Sequence, residues 1–129
     1  MQEAFAKVRH LKPGMKLLLV GSGPELASLR ANATLLEIAG DSVFIPATRE
    51  VAKWMRALDI YVLPSKSEAF SNSLLEAMAC GCPVIGSRVG GTPEMIGTAG
   101  DRGFLFESGN VEDLVAKFEQ LIRLSLIHI

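Results

Sequence analysis

Along the chain, short unbroken apolar runs alternate with longer stretches in which apolar residues recur every three or four positions. That alternation is the pattern of strand–helix units wound about a parallel sheet. Ala4, Phe5, Val8 and Leu11 share one face of an opening helix that Pro13 and Gly14 terminate. Met15 to Val20 reads as a buried strand, and Gly21-Ser22-Gly23-Pro24 as a sharp turn into a helix carrying Leu26, Leu29, Ala33 and Leu36. Ser42 to Pro46 is a second strand, followed by Thr48 as the cap of a helix with Val51, Met55 and Leu58 on its inner side. Asp59 to Leu63 is a third strand, ended by Pro64, and Ser65 to Ser71 a polar loop. Leu74, Leu75, Met78 and Ala79 then mark a helix closed by Gly81. Pro83 to Gly86 is a fourth strand and Gly90-Gly91 a loop, after which Thr92-Pro93-Glu94 supplies a cap, a first-turn proline and an early acid. Phe104 to Phe106 is a fifth strand, and a last helix from about Val111 to Arg123 turns Leu114, Phe118, Leu121 and Ile122 inward.

Five strands with intervening helices imply an α/β fold: an open, doubly wound parallel sheet of Rossmann-like type, which takes its ligands beyond the carboxyl ends of the strands. The loops that follow Val20, Pro46, Leu63 and Gly86 are therefore where chemistry is expected. The domain is assigned to residues 1–123; the apolar stretch 124–129, with no cap or turn, is expected to be a truncated or vector-encoded tail.

Composition narrows the function. With 129 residues, 49% of them hydrophobic and 21% charged, the chain can bury a core and is not disordered. Its net charge of -1 offers no basic excess for nucleic acid. No apolar run approaches the roughly 20 residues of a membrane-spanning helix, and the first eleven residues lack the form of a secretory signal. A cytoplasmic setting is expected. Cys80 and Cys82, one residue apart, read as reduced, structural thiols packed beneath the sheet. His10 and His128 have no further ligand at metal-binding spacing.

The densest chemistry lies in Glu68-Ala69-Phe70-Ser71-Asn72-Ser73-Leu74-Leu75-Glu76, just past the third strand. With Ser71 as the helix cap, Glu68 stands in the loop and Glu76 one to two turns inside the helix. Amides at the helix start, together with the positive end of its dipole, suit a phosphate. A carboxylate at Glu76 can accept hydrogen bonds from both hydroxyls of a ribose. On spacing alone the alternative stands equally: Glu68 a solvated loop residue, Glu76 a surface acid favoured by the dipole.

The run from Val62-Leu63-Pro64-Ser65 through EAFSNSLLEAMACGCPVIGSRVGGTPEMI resembles the donor-binding, carboxyl-terminal half of a GT-B glycosyltransferase, in particular the retaining group called family 4 (glycosyl transferases group 1). The likeness extends from the Gly21-Ser22-Gly23-Pro24-Glu25 turn to Gly103-Phe104-Leu105-Phe106, nearly the whole chain. It implies that Glu76 holds the ribose of a nucleoside-diphosphate sugar. Glu68 is then the acid at the donor sugar, a positioning and electrostatic residue of catalysis. Ala69, Phe70, Ser71, Asn72, Ser73 and Leu74 would cradle the diphosphate and the sugar. Gly21, Gly23, Pro46, Arg49 and Ser65 would lie near the nucleotide, with Thr48 or Arg49 toward the base. The resemblance implies transfer without a metal, the habit of GT-B enzymes, and the sequence has no Asp-x-Asp triplet to recruit one.

Departures from the family pattern are Ala69 and Pro46, where relatives mostly carry glycine. The family's arginine and lysine, which neutralise the diphosphate, fall ahead of the opening helix, so Lys66 and Arg88 are the cations left as substitutes. The domain's first strand, its basic phosphate loop and the acceptor-binding amino-terminal domain are all expected to be missing. The isolated chain should bind donor weakly and transfer nothing. Self-association through an exposed sheet edge, and membrane contact through the missing domain, are expected partners' roles beside the nucleotide sugar. Competing readings are an epimerase of the same plan, a receiver-type signalling module and a dinucleotide-binding module. The receiver needs acids where Gly21 to Gly23 stand, and the dinucleotide module needs one at Pro46.

Overall fold

The computed structural model describes residues 1–12, 14–21, 24–46, 51–64, 72–97 and 103–127, with side chains left aside at 20–21, 24–25, 46, 51–52, 55, 72–73 and 124–127. The chain divides into two compact units, Met1–Arg49 and Glu50–Ile129.

In the first unit α1 (Gln2–Val8) tightens into a 3-10 turn at Arg9–Leu11, followed by β1 (Leu17–Gly21), α2 (Pro24–Leu35), a second 3-10 turn at Ala39–Asp41, and β2 (Ser42–Pro46). The strands pair in parallel, from Leu17 opposite Ser42 to Gly21 opposite Pro46. Phe5, Leu17, Ala33 and Ile38 form the core, with Leu19, Leu36 and Phe44 against it. Leu11, expected on the inner face of α1, is 37% exposed. The 3-10 turn winds at three residues per turn instead of 3.6, which carries Leu11 off the face that Phe5 and Val8 set. Gln2 fastens α1 to α2: its Nε2 donates to the Leu29 carbonyl at 2.8 Å, and its Oε1 accepts from Asn32 Nδ2 at 2.7 Å.

The second unit contains α3 (Val51–Ala57), β3 (Tyr61–Leu63), α4 (Asn72–Ala79), β4 (Val84–Ser87), α5 (Thr92–Ile96), β5 (Gly103–Phe106) and α6 (Val111–Ile127). Its sheet has the order β3-β4-β5, wholly parallel, and all four residues of the central strand β4 are buried. That is the state of a strand covered on both faces. Leu74, Ala77, Cys82 and Val84 form a core beneath Leu58, Tyr61, Leu63, Met78, Met95 and Ile96. Leu114, Phe118 and Ile122 bury the inner face of α6.

Several expectations change. All five strands are present and parallel; β1 pairs with β2 in the first unit, and β3, β4 and β5 pair in the second. Apolar runs specify strands locally; which strand pairs with which is a non-local choice that periodicity does not encode. The last helix continues four residues past Arg123, to Ile127. Thr92 is the first residue of α5, not its cap, and Gly91 takes the cap position. The fully buried Thr92 places its Cγ2 only 2.7 Å from where a Cβ on Gly86 would stand, so the side chain packs on the sheet and its Oγ1 has no hydrogen-bond partner among the described residues.

Candidate functional site

Because β3, β4 and β5 run parallel, their last residues, Leu63, Ser87 and Phe106, lie at one end of the sheet. The residues leaving that end are Pro64, Arg88 and Glu107. The next element after β3 is α4, whose first residue is Asn72, so the positive end of its dipole lies there.

The rotation of α4 is set by its buried side. Leu74 and Ala77, three residues apart, are fully buried in the core with Met78 packed against it. The opposite side, with Leu75, Glu76, Ala79 and then Cys80, faces outward. Glu76 is thus exposed, and its carboxylate has no hydrogen bond or ion pair with the described residues; only its backbone carbonyl is used, accepting from the Cys80 amide at 3.0 Å. A carboxylate one turn inside a helix, with no partner among the described residues, can accept two donors from a ligand.

The residues assigned to a donor cradle fall as follows. Asn72 and Ser73 are the first two residues of α4, and Leu74 gives its side chain to the core. Gly21 and Pro46 are the paired last residues of β1 and β2 in the first unit. Gly23, Thr48, Arg49, Ser65, Lys66, Glu68, Ala69, Phe70 and Ser71 lie outside the described residues. Among the described residues no group of three or more His, Cys, Asp or Glu could hold a metal ion, and no helix is long and apolar enough to cross a membrane.

Both thiols are free, but they differ in setting. Cys82 is buried, whereas Cys80 is exposed, contrary to the expectation that both pack beneath the sheet. They end α4 in a Schellman turn: the Gly81 amide donates to the Met78 carbonyl and the Cys82 amide to that of Ala77, each at 3.0 Å, with Gly81 at φ +75°. In that turn the residue after the glycine folds back onto the helix, which buries Cys82. Burial pushes its thiol pKa up; a hydrogen bond with the Tyr61 backbone opposes the rise, and the charges of Asp59 and Cys80 add to it.

Sequence reasoning singled out Arg88 but not what holds it. The Arg88 amide donates to the Phe106 carbonyl at 2.9 Å, extending the β4–β5 pairing by one residue. Its Nε donates to Glu107 Oε1 at 3.2 Å. The Glu107 amide donates to Asp113 Oδ2 at 2.6 Å, and the Asp113 amide to Asn110 Oδ1 at 3.0 Å, the cap of α6. The signal for Glu107 was its place directly after a strand, beside a charge of opposite sign one strand away.

A family model described as glycosyl transferases group 1 matches residues 1–126. The chain is 40% identical over 126 residues to an N-acetyl-alpha-D-glucosaminyl L-malate synthase of Bacillus anthracis, covering 98% of this chain and 32% of that protein. The structure superposes on HepE of Anabaena, solved in complex with UDP-glucose, with a TM-score of 0.85 at 26% identity, over 97% of this chain and 35% of that one. It also superposes on the carboxyl-terminal domain of a glycosyl transferase group 1 protein, LpcC of Francisella tularensis, with a TM-score of 0.81 at 28% identity, over 95% of this chain and 66% of that one. The chain spans about a third of the length of the Bacillus relative.

Proposed function

The chain belongs to the glycosyl transferases group 1 family, with the α/β architecture of the carboxyl-terminal half of a GT-B enzyme, and from that premise we propose that it binds the nucleoside-diphosphate sugar for transfer to a glycan or lipid acceptor. The observation that carries this reading is the placement of α4. Its start follows β3 at the carboxyl end of a parallel sheet, and Glu76 stands outward with no partner among the described residues. In this reading the diphosphate rests against the amides and dipole at the start of α4, and Glu76 accepts the two ribose hydroxyls. The sugar then faces the segment containing Glu68. In this reading the acceptor is met by the part of such enzymes outside the third that this chain spans.

For transfer, the acceptor oxygen forms its bond to the anomeric carbon as the bond from that carbon to the diphosphate breaks. The nucleoside diphosphate leaves, and a departing phosphate oxygen takes the acceptor's proton. Attack on the face that the phosphate leaves retains the configuration. Glu68 acts as a positioning and electrostatic residue at the sugar, and no metal is required.

The test is a cycle between protein and ligand. UDP and GDP are titrated into wild type and Glu76→Ala, and the tighter of the two is compared with its 2′-deoxy form. Loss of Glu76 is expected to weaken binding about tenfold, or about 1.4 kcal/mol. Removal of the 2′-hydroxyl should weaken wild type and leave the variant unchanged. Equal 2′-deoxy penalties in both proteins would remove Glu76 from the ribose. Of the competing modules, a receiver responds to acyl phosphate and a dinucleotide module to NAD; binding of either in place of UDP or GDP would replace this reading.

A further inference from the structure

Cys80 and Cys82 flank Gly81 at the end of α4, and the nucleotide-sugar reading leaves both unused. We propose that they are a redox pair: hydrogen peroxide joins them in a disulfide that opens the end of α4 and weakens nucleotide binding, and a dithiol reverses it. The effect on binding rests on the nucleotide-sugar reading above. A single intervening residue limits the separation of the two Cα atoms to about 7 Å. Rearrangement of this one turn therefore reaches the Cα spacing of disulfides, roughly 4.4–6.8 Å.

What keeps the thiols apart is the Schellman turn. With Gly81 at φ +75°, the Cys82 amide is held by the Ala77 carbonyl and its side chain packs with Leu74 and Ala77, while Cys80 stays exposed. Burial keeps the Cys82 thiol protonated, and so unreactive, until the turn opens. Its sulfur is lightly held, meeting the carbonyl oxygens of Leu58 at 3.8 Å and Pro83 at 3.5 Å. The turn also has room: among the described residues, a Cβ on Gly81 would meet nothing within 4 Å. The exposed Cys80 reacts first. Its thiolate attacks a peroxide oxygen, the O–O bond breaks, and the other oxygen leaves as hydroxide and takes up the thiol's proton as water, giving a sulfenic acid. The Cys82 thiolate then attacks that sulfur, and its oxygen leaves as a second water. Two thiols and one peroxide thus become one disulfide and two waters. The bond withdraws Cys82 from the core and its amide from Ala77, which loosens the last turn of α4, where the Cys80 amide holds the Glu76 carbonyl.

The experiment exposes wild type and Cys80→Ser to hydrogen peroxide, then alkylates free thiols and weighs the fragment that carries both positions. Thermal midpoint and affinity for UDP and GDP are measured in the reduced, oxidised and dithiothreitol-treated protein. In wild type the fragment is expected to be about 2 Da lighter than its dithiol form and to take no alkyl group, as a disulfide requires. The midpoint should fall and nucleotide affinity weaken by about threefold or more, both recovering with dithiothreitol. Cys80→Ser should keep its midpoint and affinity through the treatment. Cys82 still alkylated after peroxide, or a disulfide that leaves midpoint and affinity unchanged, would overturn the proposal and leave the nucleotide-sugar reading standing. An equal loss of affinity in Cys80→Ser would overturn it as well. Reduced wild type that binds neither nucleotide would remove both.

Discussion

Glu37 occupies the left-handed region at φ +59°, where a side chain is strained and glycine is not. It closes α2 with the same Schellman turn that Gly81 closes for α4: the Glu37 amide donates to Thr34 and the Ile38 amide to Ala33, with Ile38 and Ala33 both fully buried. Glu37→Gly is therefore expected to raise stability by roughly 0.5–1 kcal/mol, read as a higher denaturation midpoint. A lower midpoint would mean that the strain is absent. Gly81 was legible because glycine after an apolar helix announces a stop; Glu37 carries no such mark. At the second turn, the raised Cys82 pKa has a signed consequence. The folded thiol keeps its proton at pH values where the unfolded thiol, ordinarily at 9.0, has lost it. Stability should thus be complete below that pH and fall as pH rises through it toward the folded value. Cys82→Ala should flatten the alkaline limb of the stability profile; an unchanged slope would contradict the cause assigned here.

The elements were largely readable, since each strand is a short apolar run and each helix has an apolar face. Their contacts were less so. Nothing in the order of residues announces how closely β5 lies against β4, yet a Cβ on Gly103 would stand 2.6 Å from Val84 Cγ2 and 2.8 Å from the Val84 carbonyl oxygen. The latter is backbone and has little room to yield. Gly103→Ala is accordingly expected to destabilise the protein by about 1–3 kcal/mol, through strain at β4–β5, as measured by chemical denaturation. A loss below 0.5 kcal/mol would show that the strands separate easily. A separate close approach, of α5 to Gly86, explains Thr92, whose methyl is used against Gly86 while its hydroxyl has no partner among the described residues. A Thr-Pro-Glu sequence gives the hydroxyl a capping role by default, and packing overrides it.

At the scale of the molecule, the net charge of -1 supplies no field to draw in an anionic ligand, so affinity for phosphate has to come from local groups. In the proposed reading those groups are the start of α4 and, for the ribose, Glu76. The family pattern made α4 and Glu76 legible in the sequence; the outward aspect of Glu76 follows from the burial of Leu74 and Ala77 on the other side. Which strand pairs with which within each unit was not legible, because edge and centre are assigned by partners distant in sequence. The most direct test is a titration of the isotope-labelled protein with UDP and GDP, followed through its backbone amide NMR signals. The account predicts that one nucleotide shifts the signals of Asn72, Ser73 and Glu76 in a saturable manner. No saturable response to either nucleotide, or one confined to α1, α2 and α6, would contradict it.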